Sequence, residues 1–79
     1  MDTINVFVII GRGYTKQMII KDIQEEGYKH NFFFGQGQEW DVLEKNMLMA
    51  NEVWAFGDCS EFDTYEYAKE KGLDLWQMA

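Results

Sequence analysis

Seventy-nine residues, with 14 Asp and Glu against 7 Lys and Arg for a formal net charge of −7, make an acidic chain the length of one small domain. That field disfavours nucleic-acid backbones and anionic membrane surfaces, and no apolar run approaches the roughly 20 residues that span a bilayer. One cysteine forms no internal disulfide, and no basic segment leads into an apolar run and a cleavage site, so a reducing, cytoplasmic location is expected.

The first predicted element is a strand over Ile4–Ile10, which is almost continuously apolar. A strand covered on both faces reads this way, so it is expected to be central and parallel. Gly11-Arg12-Gly13-Tyr14 ends it, and two glycines let the backbone turn tightly and approach a ligand closely. Thr15 suits the N-cap of a helix over Lys16–Glu26, with Met18, Ile19 and Ile23 on one face and Gly27 as its stop. Tyr28–Phe34 reads as a second strand, whose polar start at Lys29-His30-Asn31 suits a sheet edge. After Gly35-Gln36-Gly37-Gln38, a second helix is expected over Glu39–Ala50, with Trp40, Leu43, Met47 and Ala50 on one face. Val53-Trp54-Ala55-Phe56 is a short buried strand. Gly57-Asp58-Cys59-Ser60 stops it, and a third helix follows over Phe62–Lys71 with Phe62, Tyr65 and Ala68 as its stripe. Gly72 ends that helix, and Leu73–Met78 is a short fourth strand.

Strand and helix alternate throughout with short connections, the pattern of an α/β domain built on a parallel sheet. Residues 1–79 therefore read as one small three-layer, Rossmann-like domain. Right-handed crossovers and a central first strand give the flavodoxin-like order 2-1-3-4. Helix one then covers one face of the sheet, and helices two and three cover the other. The order reverses between strands one and three, and ligands of such sheets bind at that switch point. Its expected walls are Gly11-Arg12-Gly13-Tyr14 and Gly57-Asp58-Cys59-Ser60.

Arg12, the only arginine, is placed to fork onto a phosphate or carboxylate, or else to be an ordinary solvated cation. Asp58 and Ser60 are candidates for sugar or base-edge hydrogen bonds, or for forming the turn and capping helix three. Cys59 stands at a loop tip, but the only histidine, His30, belongs to the opposite end of the sheet, so a Cys–His pair is not expected. Asp63 and Glu66 share a helix face, where paired carboxylates can divide acid and base roles or simply favour a helix N-terminus. Tyr14, Tyr65 and Trp54 are candidate stacking surfaces for a base, with the core the favoured place for Trp54. The spacing after Gly11-Arg12-Gly13 lacks the third glycine of a dinucleotide fingerprint, because Lys16 stands there. There is no Walker A sequence and no His/Cys cluster, so neither a cofactor nor a metal is expected.

A strand Ala50-Asn51-Glu52-Val53-Trp54-Ala55-Phe56 leads to a loop with Asp58 and Ser60, then Asp63-Thr64, then a helix ending Glu66-Tyr67-Ala68-Lys69 before Gly72. This segment resembles the C-terminal half of the Rossmann-like superfamily of nucleoside 2-deoxyribosyltransferases and SLOG nucleotide-binding proteins. Gly11-Arg12-Gly13-Tyr14 is similar to the strand-one pattern Gly-x-Arg-x-Tyr of SLOG members. The resemblance covers about a third of the chain and implies a nucleotide- or ribose-shaped pocket. Two departures weaken N-glycosidic chemistry. The phosphate-binding glycine-rich loop is reduced to Gly35-Gln36-Gly37-Gln38, and the position of the nucleophilic glutamate holds Thr64, with Glu66 two residues later.

The expectation is therefore non-catalytic binding, with possible sequestration, of a nucleotide-derived small molecule by Gly11, Arg12, Gly13, Tyr14, Gly57, Asp58 and Ser60. One alternative is an enzyme cleaving or transferring at an N-glycosidic bond through Glu66 or Asp63. Another is an acidic interaction protein that inhibits a basic partner. A chain this short buries only about 60% of its unfolded surface, so self-association as a homodimer or larger is also expected. Trp40, Met47, Leu48 and Met49 of the second helix are its leading surface.

Overall fold

The computed structural model describes residues 3–79. Its elements are β1 (Asn5–Ile10), α1 (Lys16–Glu26), β2 (Asn31–Phe34), α2 (Trp40–Met49), β3 (Glu52–Phe56), α3 (Asp63–Glu70) and β4 (Leu75–Gln77). The strands form one sheet in the order β2-β1-β3-β4 with every pair parallel. β1 is interior, as its apolar run requires. Val6 lies beside Phe32 on one side and Glu52 on the other.

Alternation along β1 explains why the whole strand is apolar. Phe7 and Ile9 pack with Met47, Val53, Ala55 and Ala68 on the side of α2 and α3. Val6 and Val8 pack with Ile19, Trp54 and Phe56 on the side of α1. Each such side chain contributes about 1.5–3 kcal/mol by leaving water, so β1 is the strand on which both layers depend.

Local signals set the helix ends. Thr15 accepts a hydrogen bond from the backbone N–H of Met18 at 3.2 Å, and Gly27 closes α1 in the left-handed region at φ 74°. At the amino edge of the sheet, Asn51 Oδ1 accepts from the N–H of Asn5 at 2.8 Å and locks the start of β3 to that of β1.

Three expectations shift. Tyr28, Lys29 and His30 precede β2 instead of opening it. The rings of Tyr28 and His30 rest against Trp54, at 5.0 and 5.7 Å between centroids, so aromatic packing replaces ladder bonds there. Met18 faces solvent while Ile19, one position on, is fully buried. Met47 is fully buried too, and so cannot belong to an outer association surface. No helix among the described residues is long and apolar enough to cross a membrane.

Candidate functional site

The loop after β1 and the loop after β3 leave the carboxyl edge of the sheet side by side. The N–H of Gly11 donates to the carbonyl of Phe56 at 2.7 Å, and the N–H of Arg12 donates to the carbonyl of Asp58 at 3.1 Å. Beyond the parallel β1–β3 ladder, Arg12 and Asp58 thus form an isolated antiparallel bridge that joins the two loops. Glycine is what allows it. A Cβ on Gly11 would lie 2.6 Å from the carbonyl oxygen of Phe56 and 2.7 Å from Cys59 Sγ. Gly57 has φ 78°, and a Cβ there would meet the Arg12 carbonyl and lie 2.9 Å from Tyr14 Cδ2. Tyr14 in turn packs on Phe56, with ring centroids 5.9 Å apart.

The structure therefore brings Gly11, Arg12 and Tyr14 against Phe56, Gly57 and Asp58 along one seam, with Ser60 bonded to Asp58. The Asp58 carboxylate accepts from the Ser60 hydroxyl at 2.7 Å and from the Ser60 N–H at 3.2 Å. These bonds, with Arg12 adding a smaller attraction, hold its pKa below the usual aspartate range. Asp58 and Ser60 form the turn but do not cap α3, whose N-cap is Phe62 without a side-chain bond. The Arg12 guanidinium pairs with Glu61, and both side chains are about two-thirds exposed. Gly13, at φ 92°, has open space around it.

Cys59 is not at a loop tip. It is buried beneath the loop, in the cluster with Phe7, Ile9 and Ala55. Its Sγ faces the carbonyls of Phe56 and Ile9 at 3.6 and 3.9 Å. Burial, helped by the negative charge of Asp58, pushes its pKa up. A buried thiol whose pKa is raised has the character of a structural cysteine.

Open space lies one strand over. A cleft of about 230 Å³ sits on the α2–α3 side at the carboxyl ends of β1 and β2, lined by Phe7, Ile10, Gln36, Leu43, Phe62 and Thr64. Gly35 forms part of its rim, where a Cβ would lie 2.5 Å from Leu43 Cδ2 and 2.6 Å from Phe7 Cζ. None of the seven residues expected from sequence lines this cleft. The one signal for it in the chain is the Gly35-Gln36-Gly37-Gln38 loop, since a glycine between apolar Phe34 and a polar residue marks a close backbone approach. Among the described residues lining the cleft none is ionisable, and Gln36 and Thr64 are its polar side chains.

The candidate acids face elsewhere. Asp63 and Glu66 line a shallow outer groove with Trp40, Tyr67 and Glu70. Next to it the Tyr67 hydroxyl donates to Glu44 at 2.9 Å, and desolvation followed by that carboxylate raises the pKa of the phenol. His30 stands at the amino end of the sheet among Tyr28, Phe32 and Trp54, far from Cys59 in the topology. Among the described residues no group of three His, Cys, Asp or Glu side chains is placed to hold a metal ion. Comparison with models of protein families, with curated proteins and with solved structures finds no match to this chain.

Proposed function

We propose that this chain binds a nucleotide-derived small molecule at the carboxyl edge of the sheet and holds it without transforming it, as a sequestering protein does. The observation that carries the reading is the cleft of about 230 Å³, apolar on its walls, with an amide and a hydroxyl but no ionisable group among the described lining residues. Phe7, Leu43 and Phe62 offer a flat heteroaromatic ring its apolar contacts. Gln36 and Thr64 offer donors and acceptors for its edge. Proton transfer needs a titrating group within reach. Thr64 occupies the helix position nearest to a nucleophile's, and it does not titrate, while Asp63 and Glu66 line the outer groove.

Ile10 and Phe62 line the cleft, and Arg12 and Glu61 lie within two residues of them in the chain. A phosphate would take the place of the Glu61 carboxylate on Arg12. The existing pair opposes this little, since an exposed ion pair is worth only about 0–1 kcal/mol, and a phosphate brings more charge and more acceptor oxygens to the same guanidinium. Asp58 and Ser60 are then on hand for sugar hydroxyls.

The test is a thermal-shift and calorimetric screen against nucleotides, cyclic nucleotides and ADP-ribose derivatives, with chromatography of each mixture. A compound that raises the melting temperature, is recovered intact and binds roughly tenfold or more weakly to Arg12→Ala supports the reading. Product formation would favour the enzyme. If no nucleotide-derived compound binds, the reading fails.

A further inference from the structure

Two helices cover one side of the sheet and only α1 serves the other. Between α1 and the β3–β4 half of that side runs a groove of about 470 Å³. Its floor is Trp54, Phe56 and Met78, with Tyr28 at one end. Trp76 is in register with Trp54, shares its face of the sheet and is half exposed, so the apolar floor continues to the β4 edge. The α1 wall carries Asp22, Glu25 and Glu26, and no cation is among the described residues that line the groove. All three carboxylates fall in the last two turns of α1, and its last turn has no basic residue. The helix dipole disfavours anions at that end. Acids kept where the local field opposes them, along the rim of an aromatic floor, are the kind of local conflict found at functional surfaces.

We propose that this groove receives a basic amphipathic segment of another protein, in the helix-in-groove manner. Its apolar side chains lie on Met78 and Trp76, with buried Trp54 beneath them, and its Lys or Arg side chains meet Asp22, Glu25 and Glu26. Charge complementarity selects this occupant. A second copy of the chain would bring a further formal charge of −7 against an acidic wall. A small organic cation would leave most of the groove empty, and the Trp54 ring offers it little face, because the ring is buried and its Nε1 donates to Glu52 at 2.9 Å. Tyr28, 40% exposed, gives an arriving ammonium or guanidinium an aromatic surface beside the carboxylates.

A synthetic amphipathic peptide of leucine and lysine, patterned to be helical, is the probe, and a peptide of the same composition with the pattern scrambled is its control. Binding is read by calorimetry and by the indole N–H resonances of Trp54 and Trp76. The double variant Glu25→Lys, Glu26→Lys is expected to weaken binding tenfold or more. Asp41→Lys, Glu70→Lys, which changes net charge equally on the other side of the sheet, is expected to change it less than twofold. Trp76→Ala, which leaves the charge alone, is expected to weaken it as well. Equal loss in both charge variants, equal binding of the scrambled peptide, or binding without movement of the two indole signals would overturn the proposal. So would tetramethylammonium chloride reproducing those shifts, or the same shifts arising from self-association as the protein is concentrated.

Discussion

Glycines 57 and 13 both sit at positive φ, at 78° and 92°, yet their surroundings differ. Around Gly13 nothing lies within 4 Å of an added Cβ, while at Gly57 the Arg12 carbonyl and the Tyr14 ring occupy that space. Gly13→Ala is expected to destabilise by about 1–2 kcal/mol, the cost of a left-handed residue alone. Gly57→Ala adds a clash with rigid backbone and is expected to exceed it by about 1–3 kcal/mol, measured as the difference in urea unfolding. At Asp58, the two bonds from Ser60 lower the folded pKa below its ordinary value of about 3.9. A folded pKa below the unfolded one stabilises above the ordinary value, and the contribution is lost as the pH falls through the folded value. Ser60→Ala should therefore raise the pKa of Asp58 in an NMR titration, and an unchanged value would show that the turn bonds do not hold the carboxylate. The turn itself was legible in the residues Gly57-Asp58-Cys59-Ser60. The burial of Cys59 was not, because a small residue in a polar loop carries no sign of which side of the backbone the core lies on.

Among the elements, periodicity carried most of the information. The apolar run of β1, the Thr15 cap and the Gly27 stop placed β1 and α1 within a residue of their observed bounds. β2 came out three residues shorter at its start because the aromatic residues before it pack on Trp54 of β3, a contact invisible to local pattern. Helix α1 also shows a local conflict that bears on stability. Replacing Glu25 or Glu26 with Lys puts a cation where the helix dipole favours one, and each change is expected to stabilise the fold by about 0.3–1 kcal/mol at low ionic strength, less in salt. Thermal melts in low salt check this. A rise in melting temperature together with loss of peptide binding would separate what this helix end does for the fold from what it does for a partner.

For the whole molecule, the sheet order and the division of helices between two faces followed from alternation and the handedness of crossovers, rules that act on the entire chain. The positions of the open spaces did not follow. The β1–β3 loops close on each other through two backbone bonds, and the cleft depends on how far Leu43 and Phe62 stand from Phe7, which only packing decides. The self-association expected from size and composition now rests on Val42, Leu48 and Met49, the exposed apolar residues of α2 beside Trp40, since Met47 is core. The edge strand β2 contributes the exposed Phe33. Leu48→Lys with Met49→Lys is expected to reduce the mass seen by light scattering at micromolar concentration to that of one chain, with little change in the far-ultraviolet spectrum. A wild-type mass of 9.4 kDa would show that this surface stays free in solution.

The central place of β1 also fixes the order in which the chain can assemble. β1 is synthesised before either neighbour, and its side-by-side partners at the amino edge, Asn31 and Asn51, lie 26 and 46 residues further on. No two adjacent strands can close as a hairpin, so every ladder must wait for a long loop to shut before any hydrogen bond compensates the lost entropy. Refolding is expected to be slow for so small a domain, in milliseconds to seconds on the order of other nonlocal topologies. The chain has no proline, so the tens-of-seconds isomerisation phase that delays many proteins has no source here. Stopped-flow tryptophan fluorescence should show the sheet arriving in one step, with nothing slower behind it.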